Sequence, residues 1–425
     1  MASGLLPVVA PSEFRHPEMA CWFTTPAAVE ISGRTWMGAV RSMVVPRDLY
    51  NPLTLIDPSE WITEGGQVVA NGTDGTQQLL WNGLSDDHIN PALLLTPARP
   101  PLVFIPDGHA QKSYLVVRRG TTPDDLTTLG EPQYIDFSAA GGKVCYAQAH
   151  HVGDRVIVMS RTGHTLPGPD TWWWSIAVSD DWGQTWGSGR SLIHWGAQAY
   201  FSSRQTGDLV HIAATFHPDR TDRPQSIYYL SIHIPTGEVR QRDGTVIANI
   251  DGTGLPLSPN DLDIVHAIAS GGDRTWTYDC LPDGSPVWVE WDNDTEIDGG
   301  LYRSARWNGS SWIVSDIVSC GARMDNRYPP PIVGQPYRGG AMADTDGDVW
   351  LSREDEGTWT IERHQRAGDT WTHQETIASS STRRLVRPFV PYRQSTGPRV
   401  YWAAVDEYAH FRLYIAELDW EGNDD

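Results

Sequence analysis

Lysine is nearly missing from this chain. Lys112 and Lys143 are its only two among 32 basic residues, and 53 Asp and Glu leave a formal net charge of −21. So acidic a composition disfavours a phosphate backbone or an anionic membrane as partner, and neither nucleic-acid binding nor membrane insertion is expected. Cysteine is scarce as well. Cys21, Cys145, Cys280 and Cys320 lie far apart with no CxxC pair, which argues against a disulfide framework and a zinc ribbon. No stretch approaches the roughly 18–20 apolar residues of a membrane-spanning helix, and Met1–Phe23 lacks the basic start and apolar block of a secretion signal. Helical spacing of apolar residues is rare too, because Gly or Pro interrupts it.

What is present is 40 Gly, 30 Pro, 20 Trp, 15 Tyr and arginine in place of lysine. A GC-rich coding sequence is the plain account of the arginine, although arginine is also the side chain that grips carboxylate or sulfate with two parallel hydrogen bonds. Gly/Asp turns are followed by β-branched or alternating runs at "GDRVIVMSR" (153–161), "GDLVHIAATF" (207–216), "DGSPVWVEW" (283–291), "DGDVWLSRE" (346–354) and "GPRVYWAAV" (397–405). They recur about every 50 to 75 residues, each followed by a further strand–turn–strand unit. This pattern predicts an all-β chain and a β-propeller of seven blades, with six or eight also compatible. No linker-like stretch divides it, so residues 26–420 are expected to form one propeller domain, with 1–25 as a strap or closing strand.

The stretch "SDDWGQTWG" (179–187) has the spacing S-x-D-x-G-x-T-W. Gly183 is expected at positive φ, Ser179 and Asp181 are expected to tie down loop amides, and Trp186 to pack between blades. "WNGSSW" and "AGDTW" keep only the turn and the Trp. The role of the stretch is structural.

Propellers bind ligands where loops of several blades converge, so chemistry-bearing residues should recur in successive blades. His88 stands just before the strand from Ala92, and His109 at the next strand boundary. The following blades offer Tyr146, Arg161, Tyr200 and the "TFHPDR" turn with His217. Taken singly, each has an ordinary structural role open to it; the succession is the signal.

The order "DDHINPALLL", "GHAQKSY", "CYAQAHHVGDRVIVMSR", "VSDDWGQTW", "AYFSSRQTGDLVHIAATFHPD", "SIYYLSIHIPTGEV" resembles the BNR-repeat (Asp-box) propeller family that contains the propeller-type ulvan lyases. The resemblance covers about residues 80–310 and implies cleavage of an acidic polysaccharide by β-elimination. It further implies that His88 and His109 are active-site histidines, Tyr146 the catalytic tyrosine, Arg161 the carboxylate-neutralising arginine and Tyr200 a groove-lining tyrosine. Catalysis would need no cofactor, while a structural zinc would sit near the histidine of the "HP" turn, with His217 and Cys280 as incomplete candidates. Two alternatives stand beside it: a non-catalytic glycan-binding propeller, and a sialidase-type glycoside hydrolase, for which "FRHPEM" is a poor match to the early Arg-Ile-Pro stretch. A propeller facing polysaccharide belongs outside the cell or on a virion. A phage tail protein acting on host surface glycan beside other tail proteins would fit the composition.

Overall fold

The computed structural model describes residues 24–42, 64–72, 75–84, 87–107, 112–163, 172–218, 222–292, 299–322, 338–392 and 400–405, with the short strands Gly4–Leu5, Glu18–Met19 and Asp419–Gly422. Helical structure among these residues is confined to three-residue 3-10 turns, and no helix is long and apolar enough to cross a membrane. Among the described residues the strands pair into seven antiparallel sheets, almost all between sequence neighbours. Sheet 1 contains Ala28–Ile31 and Arg34–Ser42. Sheets 2 to 7 begin respectively with Ala92–Leu94, Cys145–Val152, Ala199–Thr206, Arg274–Cys280, Ala341–Ala343 and Arg384–Phe389. The fold is a β-propeller.

Burial follows from this stacking. The first strands of sheets 3, 4 and 5 are buried on both faces for most of their length, because each sheet is sandwiched between two others. The outermost strand of sheet 6, Thr370–Ser380, is largely exposed. The core is therefore laid between sheets: Val156 and Val158 of sheet 3 meet Leu102 and Phe104 of sheet 2, and Ala27, Ala28 and Met37 of sheet 1 meet Phe389 and Tyr401 of sheet 7. At that last joint Tyr392 N donates to Ala28 O and Glu30 N to Tyr392 O, both at 3.0 Å. Gly4–Leu5 also pair with Glu421–Gly422 in sheet 7.

The Ser179–Gly187 turn joins the third and fourth strands of sheet 3. Gly183 has φ +71°, where a Cβ would lie 2.8 Å from Leu102. Ser179 Oγ accepts from Gly183 N at 2.8 Å, and Asp181 accepts from the Thr185 amide and hydroxyl at 2.8 and 2.6 Å. Those bonds, the Thr185 hydroxyl first, hold the Asp181 carboxyl down at about 2. Trp186 meets Phe104 of sheet 2 edge-on, with ring centroids 5.6 Å apart. Trp182 goes deeper than the sequence indicated: it is buried, donates to Pro100 O at 2.8 Å and carries Arg99 over its ring at 4.5 Å. Trp186→Ala is expected to cost about 2–3 kcal/mol, less than the ~3–5 kcal/mol of a fully buried Trp, because its ring is half-buried. Urea unfolding measures it, and a variant as stable as the parent would contradict the packing role.

Polar side chains within the sheets are joined to one another. Gln148 Oε1 accepts from Ser203 Oγ at 2.6 Å, and His150 Nε2 lies 2.8 Å from the same hydroxyl. Burial, then the charges of His151 and Arg204, pull the His150 pKa from 6.5 to about 3. The unfolded chain therefore takes up a proton between about pH 6.5 and 3 that the folded chain refuses. The stability this histidine contributes is complete above pH 6.5 and is lost as pH falls through that window. We expect the melting temperature to drop from pH 7 to pH 4, and that of His150→Gln to drop less, as calorimetry at the two pH values would show. Parallel profiles for parent and variant would reject the assignment.

Candidate active site

The first strand of each sheet and the second run antiparallel, so the start of one and the end of the other reach the same end of the ring. Cys145 opens the first strand of sheet 3 and pairs with Arg161 near the end of the second. Tyr200, opposite Thr215, stands at the same end of sheet 4, as do His217 just past its second strand and Arg274 and Trp276 at the start of sheet 5. His88 reaches that end from the 3-10 turn Asp87–Ile89 ahead of sheet 2.

Local backbone geometry brings Tyr146 into the group. The register of Cys145–Val152 against Arg155–Gly163 slips between Cys145 and Gln148, and Tyr146 has φ +58°. A bulky residue in the left-handed region is uncommon, and a bulge of this kind re-aims a side chain. The Tyr146 ring stacks on His88 with centroids 4.8 Å apart and lies 6.2 Å from Tyr200. Arg161 is the hub. Its Cζ sits 4.6 Å from the Tyr146 ring, 5.1 Å from Tyr200 and 5.0 Å from Trp172. Tyr200 continues the cluster to His217 at 5.3 Å and Trp276 at 4.9 Å. Four of the five expected residues thus converge, and the fifth, His109, lies outside the described residues.

Arg161 Nε donates to Cys145 Sγ at 3.2 Å, Nη1 has no hydrogen-bond partner, and no carboxylate pairs with the guanidinium among the described residues. Burial is the largest influence on it and works against its charge; the Cys145 thiol and the Tyr200 and Tyr146 phenols outweigh burial and keep it protonated. Tyr200 is pushed up by burial, with Arg161 pulling the other way, and Gln198 Nε2 donates to its hydroxyl at 3.1 Å. The arrangement is a retained cation facing neutral phenols and an imidazole, a set able to neutralise a carboxylate and move protons beside it.

The expectation of side chains lining an open groove is corrected here. Arg161 is 1% exposed, His88 and Tyr200 2% and Tyr146 3%, because the aromatic rings stack on one another and on the guanidinium. Sequence reasoning also missed Trp172 and Trp276; the "WWW" run at 172–174 was the one available signal, since alternate residues of a strand face opposite ways. The zinc candidates do not come together. Cys280 lies four residues further along its strand than Trp276, which touches His217, a separation of about 13 Å at ~3.3 Å per residue. Burial, then the Asp279 charge, pushes the Cys280 thiol up. No group of three or more His, Cys, Asp or Glu able to hold a metal occurs among the described residues.

No family model matches this chain, and no curated protein matches it. Solved structures do. An ulvan lyase of polysaccharide lyase family PL25, bound to -[GlcA(1-4)Rha3S]-, superposes with a TM-score of 0.63 at 14% identity over 96% of this chain and 95% of its own. A second PL25 ulvan lyase structure gives 0.62 at 13% identity, again over 96% and 95%. The polysaccharide lyase Uly1 gives 0.54 at 11% over 93% of this chain and 88% of its own. The class the fold defines is thus a β-propeller built on the plan of these lyases. At such identities the likeness is one of fold.

Proposed function

We propose that this chain is a polysaccharide lyase that cleaves an acidic, uronate-containing polysaccharide by β-elimination. The observation that carries the reading is Arg161, buried with an unpartnered Nη1 and no carboxylate of its own among the described residues, yet enclosed by Tyr146, Tyr200 and, through Tyr146, His88. A uronate carboxylate completes the pair the guanidinium lacks, and its neutralisation acidifies the C5–H beside it. His88 takes that proton. The C5–H electron pair becomes the C4=C5 double bond, the C4–O4 bond breaks, and Tyr146 donates its phenolic proton to the departing O4. Arg161 stabilises the phenolate left behind, and proton return from His88 to Tyr146 restores the site. Tyr200, held by Gln198, borders the sugar.

The burial of all four side chains supports the second reading, a glycan-binding propeller in which this cluster is structural. Incubation with a panel of uronate polymers separates the two. Elimination yields the ultraviolet absorbance of an unsaturated uronate; binding alone yields none, and hydrolysis yields reducing ends without it.

A further inference from the structure

Arg161 is not the only guanidinium that the fold leaves open. Arg338 is fully buried, Nη2 donates to Gly299 O at 2.6 Å, and Nε and Nη1 have no partner. No carboxylate pairs with it among the described residues. Arg204 provides the contrast: it is equally internal, and there the protein supplies the Asp279 carboxylate, with Nε to Oδ1 at 3.2 Å, and the Ala343 carbonyl besides.

The backbone around Arg338 is fixed from both sides. Gly340 N donates to Tyr302 OH at 3.0 Å, and Arg387 N to Gly339 O at 2.7 Å. A Cβ on Gly339 would lie 2.1 Å from Ser352 Oγ, so residue 339 must be glycine for the segment to sit there. Arg387 is itself buried at φ +55°, where the register of Arg384–Phe389 slips between Val386 and Phe389. This repeats the device at Tyr146. The Tyr278 phenol feels the charges of both Arg338 and Arg387 and packs near Tyr302, with centroids 6.0 Å apart. Arg338 precedes the first strand of sheet 6, and Gly299 precedes the third strand of sheet 5, so Arg338 enters from the same end of the ring as Arg161, while Tyr278 stands further along the strand Arg274–Cys280.

We propose that Arg338 and Arg387, with Tyr278, form a second anion-binding site that takes a carboxylate or sulfate ester on another sugar of the polymer held at Arg161. The proposal rests on the lyase reading for the polymer, while the site itself rests on the open guanidinium. An arginine offers five N–H donors in a planar fork that matches either oxyanion. The ligand is therefore a chain with anionic groups on more than one sugar.

The test uses the full chain with two probes, a sulfated uronate polymer and the same polymer after chemical desulfation. Calorimetry reads affinity and absorbance reads turnover. Arg338→Lys keeps the charge and removes the fork. A sulfate site gives a Kd for the sulfated polymer raised about tenfold with the desulfated polymer unaffected; a carboxylate site gives the same loss on both. Equal Kd for parent and variant on both polymers overturns the proposal. A parent that binds but forms no unsaturated uronate defeats the lyase reading alone, and the second site still stands or falls on Kd. A parent that binds neither polymer overturns both. Should Arg338→Lys show no melting transition, Arg387→Lys is read in the same way.

Discussion

Arg161→Gln is expected to lower kcat for uronate elimination by about 10²–10³ while changing the melting temperature little. On the proposed lyase reading the loss follows from removing a preorganised cation that faces the developing negative charge, an effect of that size where a single such donor has been deleted. Stability behaves differently because two effects oppose. The variant loses cation–π contact with Tyr146, Trp172 and Tyr200, yet it sheds a buried charge that no carboxylate among the described residues compensates, each worth on the order of a few kcal/mol. Arg161→Lys keeps the charge without the fork and should fall between. Initial rates by absorbance and a thermal melt on each variant decide the matter: a glutamine variant with parental kcat sinks the catalytic role, and one that no longer folds makes the residue structural.

Asp279→Ala should destabilise the chain by about 3–5 kcal/mol, the penalty for stranding a buried partner charge. Asp279 holds Arg204 of sheet 4 while its Oδ2 accepts from Ala343 N of sheet 6 at 2.9 Å and its Oδ1 from Cys280 N at 2.7 Å. One carboxylate therefore joins three sheets at the end of the ring opposite the Arg161 cluster. Chemical denaturation gives the number directly, and a loss below about 1 kcal/mol would mean that Arg204 finds another acceptor. Adding Arg204→Met to the Asp279→Ala variant should recover part of the loss, because it removes the stranded cation and leaves an apolar side chain in its place.

The strands were legible because each Gly/Asp turn is followed by a β-branched run, as at Gly153–Arg161, and hairpin pairing is local. Part of the site was legible for the same reason. Counting outward from the Gly153–Asp154 turn places Tyr146 opposite Arg161, so their proximity could be read from the chain. The bulge could not. It shifts the register so that Cys145 takes the place opposite Arg161, and it sits at a tyrosine rather than at the glycine that usually marks positive φ. Contacts between sheets were hidden as well: Tyr200 against Trp276 depends on how blades rotate against one another. Burial ran against the ordinary expectation for arginine, which is placed at surfaces unless something pairs with it.

The unpartnered nitrogen of Arg161 has a thermodynamic corollary. A folded chain that keeps a cation in its interior without a counter-ion among the described residues is an incomplete object, and on the proposed reading an acidic ligand supplies the missing part. Binding and folding are then linked: an acidic oligosaccharide at a hundred times its Kd adds about 2.7 kcal/mol to the unfolding free energy, whatever its rate of turnover. Heat resistance becomes a record of which polymers the protein recognises, including those it holds without cutting.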